Sequence, residues 1–279
     1  MIFRKKDKTI NFNIPTTWNE LNPWQRNNIA SLVYRSKNGD TGIFFAVIYY
    51  LFVSQPWWTW KGFKENRRFL YFTQQVPIRQ YMQYADFIFK DLNLTKFPRY
   101  VKIKDQKFYG PADRLANLTM EELAITYQFY FNWIVNKSDI DLDRLIVALY
   151  RPYSKKTIGD VREAFSEHTM NERSGILPKI KVEQKIAIGF AYKSSTELIF
   201  SRYKELFPPP KSSKKKEDAK PKFSSFVPMM RMMAMGEDKP LGDYEKVRKT
   251  NVNMFFDIAQ ETVRLERKRQ LELAKLKRK

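Results

Sequence analysis

Val182-Glu183-Gln184-Lys185-Ile186-Ala187-Ile188-Gly189-Phe190-Ala191-Tyr192-Lys193-Ser194-Ser195-Thr196-Glu197-Leu198-Ile199-Phe200-Ser201-Arg202-Tyr203-Lys204-Glu205-Leu206-Phe207 is the stretch that decides the fold. Ile186, Ala187, Phe190, Ala191 and Leu198 fall on one side at helical spacing, so the run predicts one long helix. Pro208, Pro209 and Pro210 end it, because proline supplies no backbone donor.

Helical periodicity also dominates the sequence before this run. Thr119 and Glu122 form a capping-box pattern in front of Leu123, Tyr127, Tyr130 and Ile134. Asp141 is placed to cap a shorter helix carrying Leu142, Leu145, Ile146 and Leu149, stopped by Pro152. Arg79 to Leu92, with Tyr81, Tyr84 and Phe87 apolar, predicts another helix. Asn22 followed by Pro23 is a cap with a first-turn proline, ahead of Trp24, Ile29, Leu32 and Val33. Ile43 to Val53 is a dense apolar helix. Strand character is confined to Thr9 to Ile14, closed by Pro15, and to Tyr100 to Ile103, with a turn expected at Tyr109-Gly110-Pro111. The expected fold is therefore mainly α, with a minor β element.

After the prolines the composition changes. Lys211 to Lys222 offers almost no apolar surface, so nothing there offsets the entropy of ordering. Residues 208–223 read as a flexible Lys/Pro-rich linker between a helical core of 1–207 and an interaction segment of 224–279. Trypsin is expected to cut between Pro208 and Lys222 before any core site, and limited digestion giving no stable fragment ending there would argue against the boundary. Beyond it lie the methionines Met229, Met230, Met232, Met233 and Met235. A basic amphipathic helix then begins near Asn251, with Val252, Phe255, Phe256, Ala259 and Val263 on one face. Its end, Arg264 to Lys279, is strongly charged but carries Leu265, Leu271, Leu273 and Leu276.

Composition limits the chemistry. The chain has 279 residues, 51 Lys plus Arg against 30 Asp plus Glu, a net charge of +21, no cysteine and one histidine. Thiolate nucleophiles, thiolate zinc sites and disulfides are excluded outright. His168 lies in Phe165-Ser166-Glu167-His168-Thr169, where its neighbours cannot all face one point on a helix, and it reads as a surface residue. Asp139, Asp141 and Asp143 alternate like the start of a calcium loop, but no Gly or terminal Glu follows at loop spacing, so capping is the better account. Gly39 and Gly42 lack the Lys-Ser/Thr pair of a phosphate loop. No catalytic residue, cofactor or metal is expected, and the protein is not expected to be an enzyme.

No secretory signal is expected, since no apolar stretch follows Arg4, Lys5 and Lys6. Thr41 to Trp60 is uncharged, but its apolar part stops after roughly a dozen residues where a bilayer span needs about 20. A soluble protein with a buried core helix is expected.

Binding is what remains. Trp57, Trp58, Trp60, Lys61, Lys64, Arg67 and Arg68 combine aromatics that could stack on bases with cations that could neutralise phosphate. The plainer reading of the same stretch turns the aromatics inward and leaves the cations flanking an ordinary helix. Met229, Met230, Met232 and Met233 could form an adaptable protein-binding face or fill gaps in a core. Leu265, Arg267, Lys268, Leu271 and Lys275 on the last helix are the clearest protein-contact candidates, because so many cations exceed what a helix terminus needs.

Several motifs carry a resemblance. Thr17-Trp18-Asn19-Glu20-Leu21, Tyr109-Gly110-Pro111-Ala112-Asp113-Arg114-Leu115-Ala116-Asn117-Leu118-Thr119 and Leu145-Ile146-Val147-Ala148-Leu149-Tyr150-Arg151-Pro152 resemble morphogenesis proteins of phages and prophages of Bacteroidota. Phe226 to Met235, Gly242-Asp243-Tyr244-Glu245 and Asn251-Val252-Asn253-Met254-Phe255-Phe256 are similar to the closing part of tail assembly chaperones in that setting. The resemblance implies a virion assembly or structural protein near the tail or neck. Its partners would be phage structural or assembly proteins, met in the host cytoplasm during assembly or in the virion. The +21 charge adds an alternative, a basic nucleic-acid-binding protein contacting packaged DNA non-specifically.

Overall fold

The computed structural model describes residues 11–36, 41–155, 159–208, 223–235 and 240–276. The expected linker, apart from its first and last residues, and the closing Lys277 to Lys279 lie outside them. In chain order the elements are α1 (Pro23–Arg35), α2 (Thr41–Phe52), α3 (Trp60–Gln75), α4 (Met82–Lys90), β1 (Tyr100–Ile103), β2 (Gln106–Tyr109), α5 (Met120–Asn136), α6 (Asp139–Leu149), α7 (Glu167–Arg173), α8 (Val182–Arg202), α9 (Val227–Met235), α10 (Tyr244–Lys249) and α11 (Val252–Leu276). Among the described residues the chain is thus mainly helical, with one two-stranded antiparallel sheet.

Contacts divide the chain into two compact units. One holds residues 1–94 and 181–190, the other 95–180 and 191–279. Composition changes at 208–223; contacts divide the chain at 94/95 and within α8.

In the first unit, Asn22 accepts from Trp24 N and Gln25 N, and the Gln25 side chain accepts from Asn22 N at 3.2 Å. This reciprocal cap satisfies orphan donors at the start of α1. The buried Gln25 also donates to Tyr50 O at 2.9 Å, tying α1 to the end of α2. Phe52 on α2 centres an aromatic cluster, with ring centroids 5.0 Å from Phe12, 5.6 Å from Phe69 and Phe72, and 5.8 Å from Tyr81. The strand expected at Thr9 to Ile14 is not formed over its described part: residues 11–15 pair with no neighbour, and Phe12 serves as a ring anchor instead. The helix expected over Arg79 to Leu92 starts as a 3-10 turn (Ile78–Tyr81) and becomes α4.

In the second unit, the turn expected at Tyr109-Gly110-Pro111 is the end of a strand. The hairpin reverses at Lys104, which takes positive φ, and β2 pairs in register from Gln106 opposite Ile103 to Tyr109 opposite Tyr100. Tyr109 then exchanges backbone bonds with Arg151, at 2.7 and 3.0 Å. Ser138, not Asp141, caps α6, accepting from Asp141 N at 3.3 Å. Thr119 caps α5 by accepting from Glu122 N, as expected, but the Glu122 carboxylate does not return to close the box. Residues 223–235 and 240–263 are built into this unit. Met120 N donates to Thr250 O at 3.0 Å and Val252 N to Leu118 O at 2.9 Å, lacing the start of α11 to the start of α5. Phe226, Met230, Met233, Val247, Val252, Phe255 and Phe256 are buried there.

Candidate interaction surfaces

The loop from Ser54 to Thr59 and the first turn of α3 set the first candidate. Thr59 caps α3, its hydroxyl oxygen accepting from Gly62 N at 3.0 Å. Glu65, the one carboxylate on α3, turns toward the preceding loop and accepts from Ser54 N at 2.7 Å and from the Ser54 hydroxyl at 2.8 Å. Lys61 Nζ lies 3.7 Å from the same carboxylate. Phe69 faces the aromatic cluster. Phe72 joins it from the next turn, while Trp60, Lys61, Phe63, Lys64, Arg67, Arg68, Leu70 and Tyr71 are exposed.

The inward reading of the tryptophans is therefore overturned. Trp57 is 63% exposed, Trp58 71% and Trp60 73%. Their turn stands at the head of α3, and the unit's apolar interior is already filled by Phe12, Phe52, Phe69, Phe72 and Tyr81. Trp60 and Phe63 stack with ring centroids 6.5 Å apart and planes at 16°. Lys64 Nζ sits 4.6 Å from the Trp60 centroid, and the Arg67 guanidinium 5.9 Å from that of Phe63. Such cation–π contacts hold the cations over the rings rather than away from them. Lys61, Lys64, Arg67 and Arg68 are all exposed. Beside the helix lies a groove of about 650 Å³ that Lys61, Arg68, Trp24 and Asn22 help to line. Trp24 was not among the sequence candidates, because its apolar spacing on α1 marks it simply as core.

The second candidate is divided by burial. Of the methionines on α9, Met230 and Met233 are buried, Met229 is half-buried, and Met232 and Met235 are exposed. Met230 and Met233 therefore serve the core of their unit, Met233 while also lining a groove beside α11. Met232 remains at the same groove, of about 610 Å³, whose other wall is α11, with Thr262, Val263, Leu265, Arg267 and Gln270. From Arg264 to Leu276 every residue of α11 is exposed. That places Leu265, Arg267, Lys268, Leu271 and Lys275 on an exposed helix end, with Leu265 and Arg267 bordering the groove. Its first turn is tied to Glu205: Arg264 Nε donates to Glu205 at 2.7 Å, and Arg267 lies 3.4 Å from the same carboxylate.

A third grouping escaped sequence reasoning. Glu122 is buried against Arg162, at 2.8 Å, and Arg151, at 3.1 Å. Arg162 also clasps Asp160 through Nε at 3.0 Å and a terminal nitrogen at 2.8 Å, and donates to Leu149 O at 3.0 Å. Burial pulls the Arg151 guanidinium downward from its ordinary value, more strongly than Glu122 raises it. For Arg162 burial acts in the same direction, but Glu122 and Asp160 together outweigh it and the net shift is upward. Two carboxylates match two guanidinium groups, and Glu122, Arg151 and Arg162 are all buried, so it reads as a brace rather than a site.

The remaining candidates stay apart. His168 is exposed on α7, 3.5 Å from Glu172. Asp141 lies 3.4 Å from Arg144 on its own helix. No set of three carboxylates or histidines converges on a metal position among the described residues. No helix among them is long and apolar enough to cross a membrane. No family model, curated protein or solved structure matches this chain.

Proposed function

We propose that the chain acts by contact rather than catalysis, as an assembly or structural protein of a phage-like particle near the tail or neck. The observation that carries this reading is the outer half of α11, exposed from Arg264 to Leu276 yet bearing Leu265, Leu271, Leu273 and Leu276. Leucines exposed on a helix end gain little from remaining in solvent, whereas a partner groove can cover them. Arg267, Lys268, Arg269 and Lys275 against Glu266 and Glu272 give it a basic character that suits an acidic groove on a structural or assembly protein. The resemblance of Phe226 to Met235, Gly242 to Glu245 and Asn251 to Phe256 to the closing part of tail assembly chaperones supports the same role. Such a protein would work in the host cytoplasm during assembly and could stay in the virion.

Truncation after Arg267 tests this, because it keeps the Glu205 ion pairs that anchor the first turn. Tagged full-length and truncated proteins are recovered from a particle-forming lysate and their companions identified by mass spectrometry. Tail or neck components should fall by about tenfold or more with the truncated chain, since interface anchors each cost more than about 1 kcal/mol when removed. The thermal midpoint should stay nearly unchanged. Equal recovery of the same components by both forms would move the interface elsewhere.

A further inference from the structure

We infer that the outward face of α3, with the Trp57-Trp58 turn at its head, is a stacking surface for single-stranded nucleic acid. Successive turns of the helix put Trp60, Lys64, Arg67 and Tyr71 along one ridge, at the i, i+4, i+7 and i+11 positions that share a face. At 1.5 Å per residue that ridge is about 16 Å long. Tyr71 is 45% exposed and Phe63, beside the ridge, 44%. Two cations sit between two rings along it, and both lie over ring faces, Lys64 over Trp60 and Arg67 over Phe63.

The chemistry of this face selects among ligands. Its cations need an anionic partner, and the helix supplies none, because its one carboxylate is spent on Ser54 and Lys61. Exposed ring faces need flat apolar partners. A phosphodiester strand with unpaired bases offers both groups in alternation, anion then π-face, which is how sequence-tolerant single-strand binding works. A duplex offers the anions only, since its bases are stacked on each other. A bilayer would require an apolar face with cations at its border, whereas here Lys64 and Arg67 lie within the ring-bearing face. A groove lined in part by Lys61 and Arg68 runs beside the ridge and provides concave space for a strand leaving it. The chain's net charge of +21 adds long-range attraction to any polyanion, so affinity alone does not identify the surface.

The test separates the rings from the charge. Full-length protein is titrated into a fluorescently labelled oligothymidine, into a duplex of equal length, and into vesicles of phosphatidylserine and phosphatidylcholine. Three variants are compared: Trp58→Ala, Trp58→Ala with Trp60→Ala, and Lys64→Gln with Arg67→Gln. All these side chains are exposed, so the fold is expected to persist, and Trp58→Ala in the turn preceding the helix is the mildest change. The parent should prefer single strand to duplex at equal salt. The double tryptophan variant should lose at least about tenfold in single-strand affinity, and the single variant a smaller factor, while duplex binding changes little. The charge variant should reduce the salt slope by about 1.4, two phosphates at about 0.7 each. Truncation after Arg267 should leave the tryptophan effect intact, so this inference and the partner contact on α11 fail separately. Single-strand affinity unmoved by the tryptophan changes would overturn the proposal, as would binding to vesicles with none to oligothymidine.

Discussion

Glu122→Ala is expected to cost about 3–5 kcal/mol, the loss typical of removing one partner from a buried ion pair. The carboxylate neutralises two guanidinium groups that have left water, those of Arg151 and Arg162. Without it Asp160 alone faces both, at 3.5 Å from Arg151 and 2.8 Å from Arg162. Arg151 would suffer more: its charge is already disfavoured by burial, and its Nε finds no hydrogen-bond acceptor among the described residues. Arg162 retains Asp160 and the Leu149 carbonyl. Denaturant unfolding, followed through the transition of the unit containing residues 95–180 and 191–279, checks the size. Adding Arg151→Met to Glu122→Ala should recover part of the loss, because the second change removes the orphaned charge. A loss below about 1 kcal/mol would mean that water reaches both arginines and the pairs behave as surface ones.

That brace shows why part of the structure was legible in the sequence and part was not. The period of Ile186, Ala187, Phe190 and Ala191 is local information, and it predicts a helix from Val182. But α8 stops at Arg202, before Phe207 and the prolines, and is buried at every position from Ile186 to Tyr192 rather than on one side. The Asn22-Pro23 signal is equally local and gives the start of α1. Glu122 is different. Three residues after Thr119 it has the spacing of a capping-box partner, and only the return of the chain after α6 brings Arg151 and Arg162 within reach of it. Separations of 29 and 40 residues leave no periodic trace.

The surfaces divide along the same line. Trp57, Trp58 and Trp60 were legible as a candidate by composition, but whether they faced in or out depended on how many other rings filled the interior first. Five aromatic side chains around Phe52 settle that competition. Met230 and Met233 lost the opposite contest: on a short helix beside Phe226, burial is worth more to them than exposure. On α11 the fading of the apolar stripe after Val263 did mark where burial stops.

Gly62→Ala distinguishes local from tertiary physics by sign. Gly62 is in the first turn of α3, and helix propensity alone favours alanine over glycine by about 1 kcal/mol. Local propensity alone therefore favours a more stable protein. The tertiary geometry predicts the reverse. A Cβ built on Gly62 would lie 2.0 Å from the Pro56 carbonyl oxygen and 2.6 Å from that of Gln55. Both obstacles are backbone atoms of the tight loop before the helix, so neither can swing aside as a side-chain tip could. The loop must move, and it is held by Thr59 N donating to Pro56 O at 3.0 Å and by Ser54 bound to Glu65. Overpacking of this kind costs about 1–3 kcal/mol, enough to outweigh the propensity gain. The expected result is a net destabilisation, measured as a lower denaturant midpoint for the unit containing residues 1–94. The same displacement carries Trp57 and Trp58, which follow Pro56 directly, so oligothymidine affinity should fall although no ring or charge has been removed. A stabilised variant with unchanged affinity would show that the loop yields freely, and that the tryptophan turn is not held in place by its contact with α3.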